Sequence, residues 1–192
     1  CLGNWLKYTM KKIVITGGLG YIGTELCKIY SGYSWNDKIT VIDNRFISER
    51  VNQIRNWNMN FVHGDILDKE LIKEHCKDAD IVHHLAGITA VPRVKSEANA
   101  EHEKKIEEVA IEGTQNIIDS IKDDCKIILP STHVVYEGVQ DVKENISENE
   151  DTLPVLAYGK SKAYNEKQLK ESGKNFIILR LGSVYGYSTD TT

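Results

Sequence analysis

Tyr158 and Lys162 stand four residues apart in the run Tyr158-Gly159-Lys160-Ser161-Lys162, so on a helix they share one face. A phenol with an ordinary pKa of about 10 is a poor base at neutral pH. A lysine ammonium within a few ångströms, helped by a second nearby cation, favours the phenolate and turns the tyrosine into a general base. Taken alone the pattern is weak, because two helical surface residues match it by chance. The run Ser131-Thr132-His133-Val134-Val135-Tyr136 gives it weight. Small hydroxyl residues at the carboxyl end of a parallel strand point into the crevice where such sheets bind ligands.

The first third of the chain carries a second pattern that could do chemistry. The stretch Thr16-Gly17-Gly18-Leu19-Gly20-Tyr21-Ile22-Gly23 follows an apolar run, Ile13-Val14-Ile15, and precedes a helical pattern, Thr24 to Tyr30. Strand, glycine turn and helix form the arrangement in which a dinucleotide's pyrophosphate rests on a helix N-terminus, against unpaired N–H groups and the positive end of the helix dipole. Gly17 allows the sharp turn, Gly20 keeps a Cβ away from the phosphates, and Gly23 lets the helix pack close to the sheet. The spacing is Gly-x-x-Gly-x-x-Gly rather than the commoner Gly-x-Gly-x-x-Gly. Asp43 lies twenty residues beyond Gly23, closing a second apolar run, Ile39-Thr40-Val41-Ile42. A carboxylate there accepts from both hydroxyls of the adenosine ribose and repels a 2′-phosphate, which favours NAD over NADP. Arg45 works the other way, since an arginine can pair with a 2′-phosphate.

These groups must be held by a sheet. Apolar, strand-like runs at Ile13–Ile15, Ile39–Ile42, Asn60–His63, Asp80–Leu85, Lys126–Leu129 and Asn175–Arg180 alternate with helical patterns. The helical stretches are a loose one within Arg45–Asn58, one capped by Asp68 and running to about Lys77, a long one from roughly Glu97 to Ile121, and Leu156–Glu171 ended by Gly173. Such alternation, with strands apolar enough for burial on both faces, predicts an α/β fold. It is a Rossmann-type doubly wound parallel sheet in the order 3-2-1-4-5-6, with helices on both sides. The acidic segment Val139–Leu153 reads as an exposed loop.

The 192 residues, 41% hydrophobic with a net charge of −4, suit one well-buried domain. No apolar run approaches the ~18–20 residues that cross a bilayer, and no basic stripe is present, so neither membrane insertion nor a nucleic-acid partner is expected. Cys1, Cys27, Cys76 and Cys125 are scattered without a C-x-x-C pair. They suggest neither a metal site nor a disulfide framework and read as reduced core residues of a cytoplasmic protein. Residues 1–9 precede Met10-Lys11-Lys12 and are taken as an extension outside the fold, which then occupies 10–192.

Together, Thr-Gly-Gly-x-Gly-Tyr-Ile-Gly at 16–23, Asp43, Gly64-Asp65, His84-Leu85-Ala86-Gly87, Ser131-Thr132-x-x-Val135-Tyr136, Tyr158-x-x-x-Lys162 and Leu179-Arg180-x-x-x-Val184-Tyr185-Gly186 resemble the extended short-chain dehydrogenase/reductase family. Within it the chain is most similar to the NAD-dependent nucleotide-sugar epimerases and dehydratases. The stretch His84 to Val91 is similar to that of UDP-glucose 4-epimerases, with Thr89 where those usually carry Lys. The resemblance implies Tyr158 as general base and acid, Lys162 as holder of the nicotinamide ribose, and Thr132 as hydrogen-bond partner of the reacting hydroxyl. It implies cofactor contacts from Gly17, Gly20, Tyr21, Ile22 and Gly23, from Asp43 and Asn44, from Asp65 and Ile66 beside the adenine, and from Leu85, Ala86 and Gly87 in the middle.

The implied reaction is transient oxidation of a sugar hydroxyl by tightly bound NAD, then re-reduction from the other face. A ketoreductase or decarboxylase acting on another alcohol, and a non-catalytic NAD-binding regulator, are the alternatives. His133-Val134 stand where 4,6-dehydratases usually carry Asp-Glu, which argues against dehydration. Ala110 replaces an Asn three positions before Gly113-Thr114, and Ser183 another Asn. Relatives continue into a substrate lobe that this chain, ending at Thr192, is expected to lack. They commonly pair as homodimers through the two helices here placed at Glu97–Ile121 and Leu156–Glu171. His83 and His84 point to opposite faces of a strand and read as structural, His133 as turned away from the site, Tyr136 and Tyr185 as packing, and the Glu101–Lys105 stretch as a solvated face.

Overall fold

Three β-branched residues, Ile13, Val14 and Ile15, make β1 (Lys12–Thr16) the centre of the sheet, buried on both faces. The computed structural model describes residues 9–33, 36–89, 99–140 and 144–186, so residues 1–8 of the expected extension, Cys1 among them, lie outside the described residues. The remaining elements are α1 (Tyr21–Tyr33), β2 (Lys38–Asp43), α2 (Ser48–Asn56), β3 (Asn60–His63), α3 (Lys69–Cys76), β4 (Ile81–His84), α4 (Ala100–Ser120), β5 (Lys126–Thr132), a 3-10 turn (His133–Tyr136), α5 (Ala157–Glu171) and β6 (Asn175–Leu181). The six strands lie in the order β3-β2-β1-β4-β5-β6, all parallel, as the sequence reading expects.

Alternation along the strands divides the core in two. Ile13, Ile15, Ile39 and Val41 pack with Cys27, Val51 and Ile54 under α1 and α2. Val14, Ile42, Val82, Ile127 and Leu129 pack with Ile72, Cys76, Ile117, Ile118 and Leu169 under α3, α4 and α5. Cys27, Cys76 and Cys125 are buried free thiols, and burial pushes the first two up to about 12. At the sheet's edge, β6 keeps Ile177 and Leu179 at 39% and 42% exposure.

Local signals hold where the backbone uses them. Asp68 accepts from the Leu71 N–H at 3.1 Å and caps α3. Gly173 takes φ of +69° just beyond α5. Asn99 caps α4 by accepting from Glu101 and His102; the described helix therefore begins at Ala100, and the expected start at Glu97 lies outside the described residues. Two strands run further than expected, β5 to Thr132 and β6 to Leu181, paired residue by residue from Lys126↔Asn175 to Thr132↔Leu181. That extension carries Ser131 and Thr132 to the edge where the site forms. Among the described residues no helix is long and apolar enough to cross a membrane.

Candidate active site

The carboxyl ends of β1, β2 and β4 lie level, with Thr16 opposite Ile42 on one side and His84 on the other. Above them opens a cavity of about 620 Å³. The glycine turn contributes Gly17, Gly20, Tyr21, Ile22 and Gly23 to its wall, and the end of β2 contributes Asp43, Asn44 and Arg45. Asp65 and Ile66 follow β3, and Leu85, Ala86 and Gly87 follow β4. Thr132, Tyr158 and Lys162 close the far end. Every residue singled out from the sequence for cofactor or chemistry therefore borders one cavity, although they come from six stretches of chain.

The turn is built for an anion. Gly17 has φ of +70°, and a Cβ on it would lie 2.6 Å from the Ala86 nitrogen. A Cβ on Gly20 would meet only Gly17 O at 3.2 Å and the Arg45 Nη2 at 3.7 Å, so its absence leaves room beside the N-terminus of α1. These features fit a dinucleotide's pyrophosphate. Gly23 has a different job from the one expected: its Cβ would strike Gly17 O at 2.5 Å and Gly18 Cα at 2.6 Å, so it admits the turn's own backbone rather than the sheet. Gly18, given no role from the sequence, is as constrained, with Val41 Cγ1 2.2 Å from where its Cβ would stand.

Asp43, 5% exposed, holds this turn. Its Oδ2 accepts from Leu19 N at 2.9 Å, and its Oδ1 from Arg45 N at 2.9 Å and Arg45 Nε at 3.3 Å. An ionised carboxylate offers about four acceptor positions, so about one remains. Asp43 can thus take one ribose hydroxyl, not the two expected. The buried guanidinium of Arg50, on α2, donates to the Leu19 carbonyl, so the peptide groups on both sides of Leu19 are held.

At the reacting end, Thr132 Oγ1 accepts from Val134 N at 3.2 Å, which orients the hydroxyl and leaves its proton to donate. Lys162, 9% exposed, donates from Nζ to the Pro130 carbonyl at 3.0 Å. Burial pushes its ammonium down to about 8, still protonated at neutral pH. Burial also raises the Tyr158 phenol above its ordinary value. The lowering expected from Lys162 together with a second cation is not a property of the phenol on its own, which burial raises. Ser131 also departs from expectation. Although it borders the cavity, its hydroxyl proton goes to Glu166 Oε1 at 2.6 Å.

Behind this end lies a network that sequence reasoning missed. Glu166, one helical turn past Lys162 and 2% exposed, receives Arg180 through Nε at 2.9 Å and Nη2 at 2.6 Å. Arg180 also donates to the Glu148 carbonyl at 3.0 Å, bonds the Tyr136 hydroxyl, and lies 5.1 Å over the Tyr136 ring. Glu137 Oε1 accepts from Val155 and Leu156 N–H, each at 2.5 Å, and so caps α5, which has no side-chain cap of its own. The one available signal was spacing: Glu166 continues the Tyr158–Lys162 face at i+4. Tyr136 is thus a packing residue with a polar anchor, whereas Tyr185, expected to pack, is 93% exposed. Lys105 borders the cavity while pairing with Glu108 at 3.0 Å, so the solvated face reaches the site's rim.

Both strand histidines are structural. His83 Nε2 lies 2.7 Å from the Tyr30 hydroxyl; His84 sits between Thr16 Oγ1 at 2.9 Å and Thr114 Oγ1 at 3.0 Å. His133 turns to the Leu181 carbonyl at 3.2 Å, as expected. Burial holds His83 down to about 4, and burial with the Lys162 charge holds His84 down to about 3. Folded, both rings stay neutral while the unfolded chain binds protons from about pH 6.5 downward. Stability is therefore complete above that pH and falls on acidification toward pH 4, by about 1.4 kcal/mol per pH unit for each ring. Urea midpoints between pH 7 and 4.5 are expected to show it, and His84→Gln to lose about half the slope; an unchanged slope in that variant contradicts the assignment.

The chain belongs to the NAD-dependent epimerase/dehydratase family, whose model matches residues 13–192. It is 31% identical, over 92% of its length, to dTDP-D-glucose 4,6-dehydratase of Dictyostelium discoideum, and 32% identical, over 66%, to UDP-N-acetyl-alpha-D-glucosaminuronate decarboxylase of Bacillus cytotoxicus. The crystal structure of UDP-glucose 4-epimerase from Brucella ovis in complex with NAD superposes on 88% of the chain with a TM-score of 0.70 at 26% identity. The chain spans 44%, 38% and 51% of those three proteins.

Proposed function

We propose that residues 10–192 are the NAD-binding part of a nucleotide-sugar epimerase, the grip on the sugar nucleotide coming from outside them. What carries this reading is the single cavity in which the glycine turn and Asp43 meet Thr132, Tyr158 and Lys162. Gly17 and Gly23 let the turn close tightly and Gly20 leaves room for a diphosphate, Asp43 takes one ribose hydroxyl, and Lys162 faces the other ribose. Bound NAD supplies a two-electron acceptor that is restored at the end of each cycle. Thr132 donates to the reacting sugar oxygen, and Tyr158 takes its proton as the carbon is oxidised to a ketone. In the return half, Tyr158 gives the proton back after the sugar has presented its other face.

Because burial raises the Tyr158 phenol, the proton transfer depends on positive charge arriving with the ligands beside Lys162. Retention of all three residues supports an enzyme over a non-catalytic regulator. The residues after Thr132, His133 and Val134, offer no carboxylate acid–base pair, which supports epimerisation over dehydration. A decarboxylase or ketoreductase would use the same first proton transfer, and product analysis separates them. Pairing of two copies through α4 and α5 belongs to the same proposal.

The test is a full-length protein containing these residues, loaded with NAD and offered UDP- and dTDP-sugars, with products read by NMR. Tyr158→Phe is expected to lower turnover by about 100-fold or more while NAD affinity changes by less than about threefold. Turnover indifferent to Tyr158→Phe would remove the enzyme reading.

A further inference from the structure

Resting on the dinucleotide reading above, we propose that Arg45 lets this site accept a 2′-phosphorylated adenine dinucleotide, NADP, as well as NAD. Arg45 borders the cavity two residues beyond Asp43, with its side chain 44% exposed. Its Nε donates to Asp43 Oδ1 at 3.3 Å, and its Nη2 lies 3.7 Å from the point a Gly20 Cβ would occupy. The guanidinium therefore spans from the acid that ends β2 to the glycine that precedes α1. Neither terminal nitrogen has a hydrogen-bond partner among the described residues.

The usual obstacle to a 2′-phosphate is the carboxylate at the end of the second strand. Here that carboxylate is largely spoken for. Three of its roughly four acceptor positions go to Leu19 N, Arg45 N and Arg45 Nε, and the last contact places a full positive charge against it. One position remains, enough for a 3′-hydroxyl. The terminal nitrogens of Arg45 remain as well, and a guanidinium binds phosphate oxygens through paired, charge-assisted hydrogen bonds. The N-terminus of α1 adds positive potential from the other side. The opposing charges are Asp43 itself, paired with Arg45 Nε, and Asp65, whose Oδ2 already accepts from the Asn44 amide at 3.1 Å. Acid and base thus divide the ribose between them, so the site is not built to refuse the extra phosphate.

Calorimetric titration of the full-length protein containing these residues, freed of bound dinucleotide, with NAD and NADP, and with adenosine 2′,5′-bisphosphate against AMP, tests this. NADP is expected to bind within about tenfold of NAD, and the bisphosphate more tightly than AMP. Arg45→Leu is expected to weaken NADP and the bisphosphate by about tenfold or more while NAD changes by less than about threefold. NADP weaker than NAD by more than that margin, or an Arg45→Leu variant that loses both dinucleotides alike, overturns the proposal and leaves the NAD reading standing. Failure of the chain to bind either dinucleotide overturns both.

Discussion

Glu166→Leu is expected to lower the free energy of unfolding by about 3–5 kcal/mol, the usual cost of stranding one member of a buried ion pair. The carboxylate is 2% exposed, and three groups donate to it or pair with it: Ser131 at 2.6 Å, Arg180 through two nitrogens, and Lys170 at 3.6 Å. Burial pushes its pKa up, but the hydrogen bonds from Arg180 and Ser131 and the surrounding cations outweigh it, and the carboxyl sits below its ordinary value. Removing it leaves Arg180, itself 10% exposed, without its counter-ion. A double variant, Glu166→Leu with Arg180→Met, is expected to recover most of the loss, because two apolar groups need no partner. The pair's contribution is complete above about pH 4.5 and is lost as pH falls through the lowered pKa of Glu166. Urea unfolding at pH 7 measures it. A single-variant cost under about 1 kcal/mol would mean that water reaches the pair and screens it. The same variant frees Ser131, the neighbour of Thr132, so cofactor affinity and turnover in the full-length protein should part company.

Gly17→Ala is expected to abolish dinucleotide binding, with a loss of about 100-fold or more, and to cost at least about 1–2 kcal/mol of stability from backbone strain alone. Two separate penalties meet at this residue. Its φ of +70° is disfavoured for any side chain, and the added methyl would stand 2.6–2.8 Å from the backbone of Leu85 and Ala86. Backbone atoms cannot swing aside as a side-chain tip can. Either the turn or the end of β4 must move, and both border the cavity. Gly32→Ala is the control: it lies in α1, a Cβ there meets nothing within 4 Å, and the change is expected to be neutral or to stabilise by about 0.5–1 kcal/mol. Equal behaviour of the two variants would show that the turn is more pliant than its geometry indicates.

The sheet was legible because five of the six strands carry adjacent β-branched residues between helical patterns, β3 offering only Phe61-Val62. That is the signature of burial on both faces, and the connection rules then leave few strand orders. The cavity wall was legible because glycines and small hydroxyls at strand ends have few other reasons to be there. Charged residues were not legible. Glu166, Arg50 and Arg180 look like ordinary surface charges in one dimension, and only the third brings Glu166 to Arg180 and Arg50 to the Leu19 carbonyl. Tyr158 shows the limit of spacing: four residues place it on one face with Lys162, but its burial, which raises the phenol, is visible only in the fold.

The sequence places the end of β5 at Leu129, and the next residue, Pro130, cannot donate to a ladder. The strand continues because pairing with β4 has already stopped at His83↔Ile128, while β6 pairs on to Leu181. Past that parting, the imino acid sits with a carbonyl to spare, and Lys162 takes it. A residue that looks like a stop signal is therefore the peg on which the ammonium hangs. Any substitution at 130 that twists this carbonyl aside would set the lysine adrift without touching it.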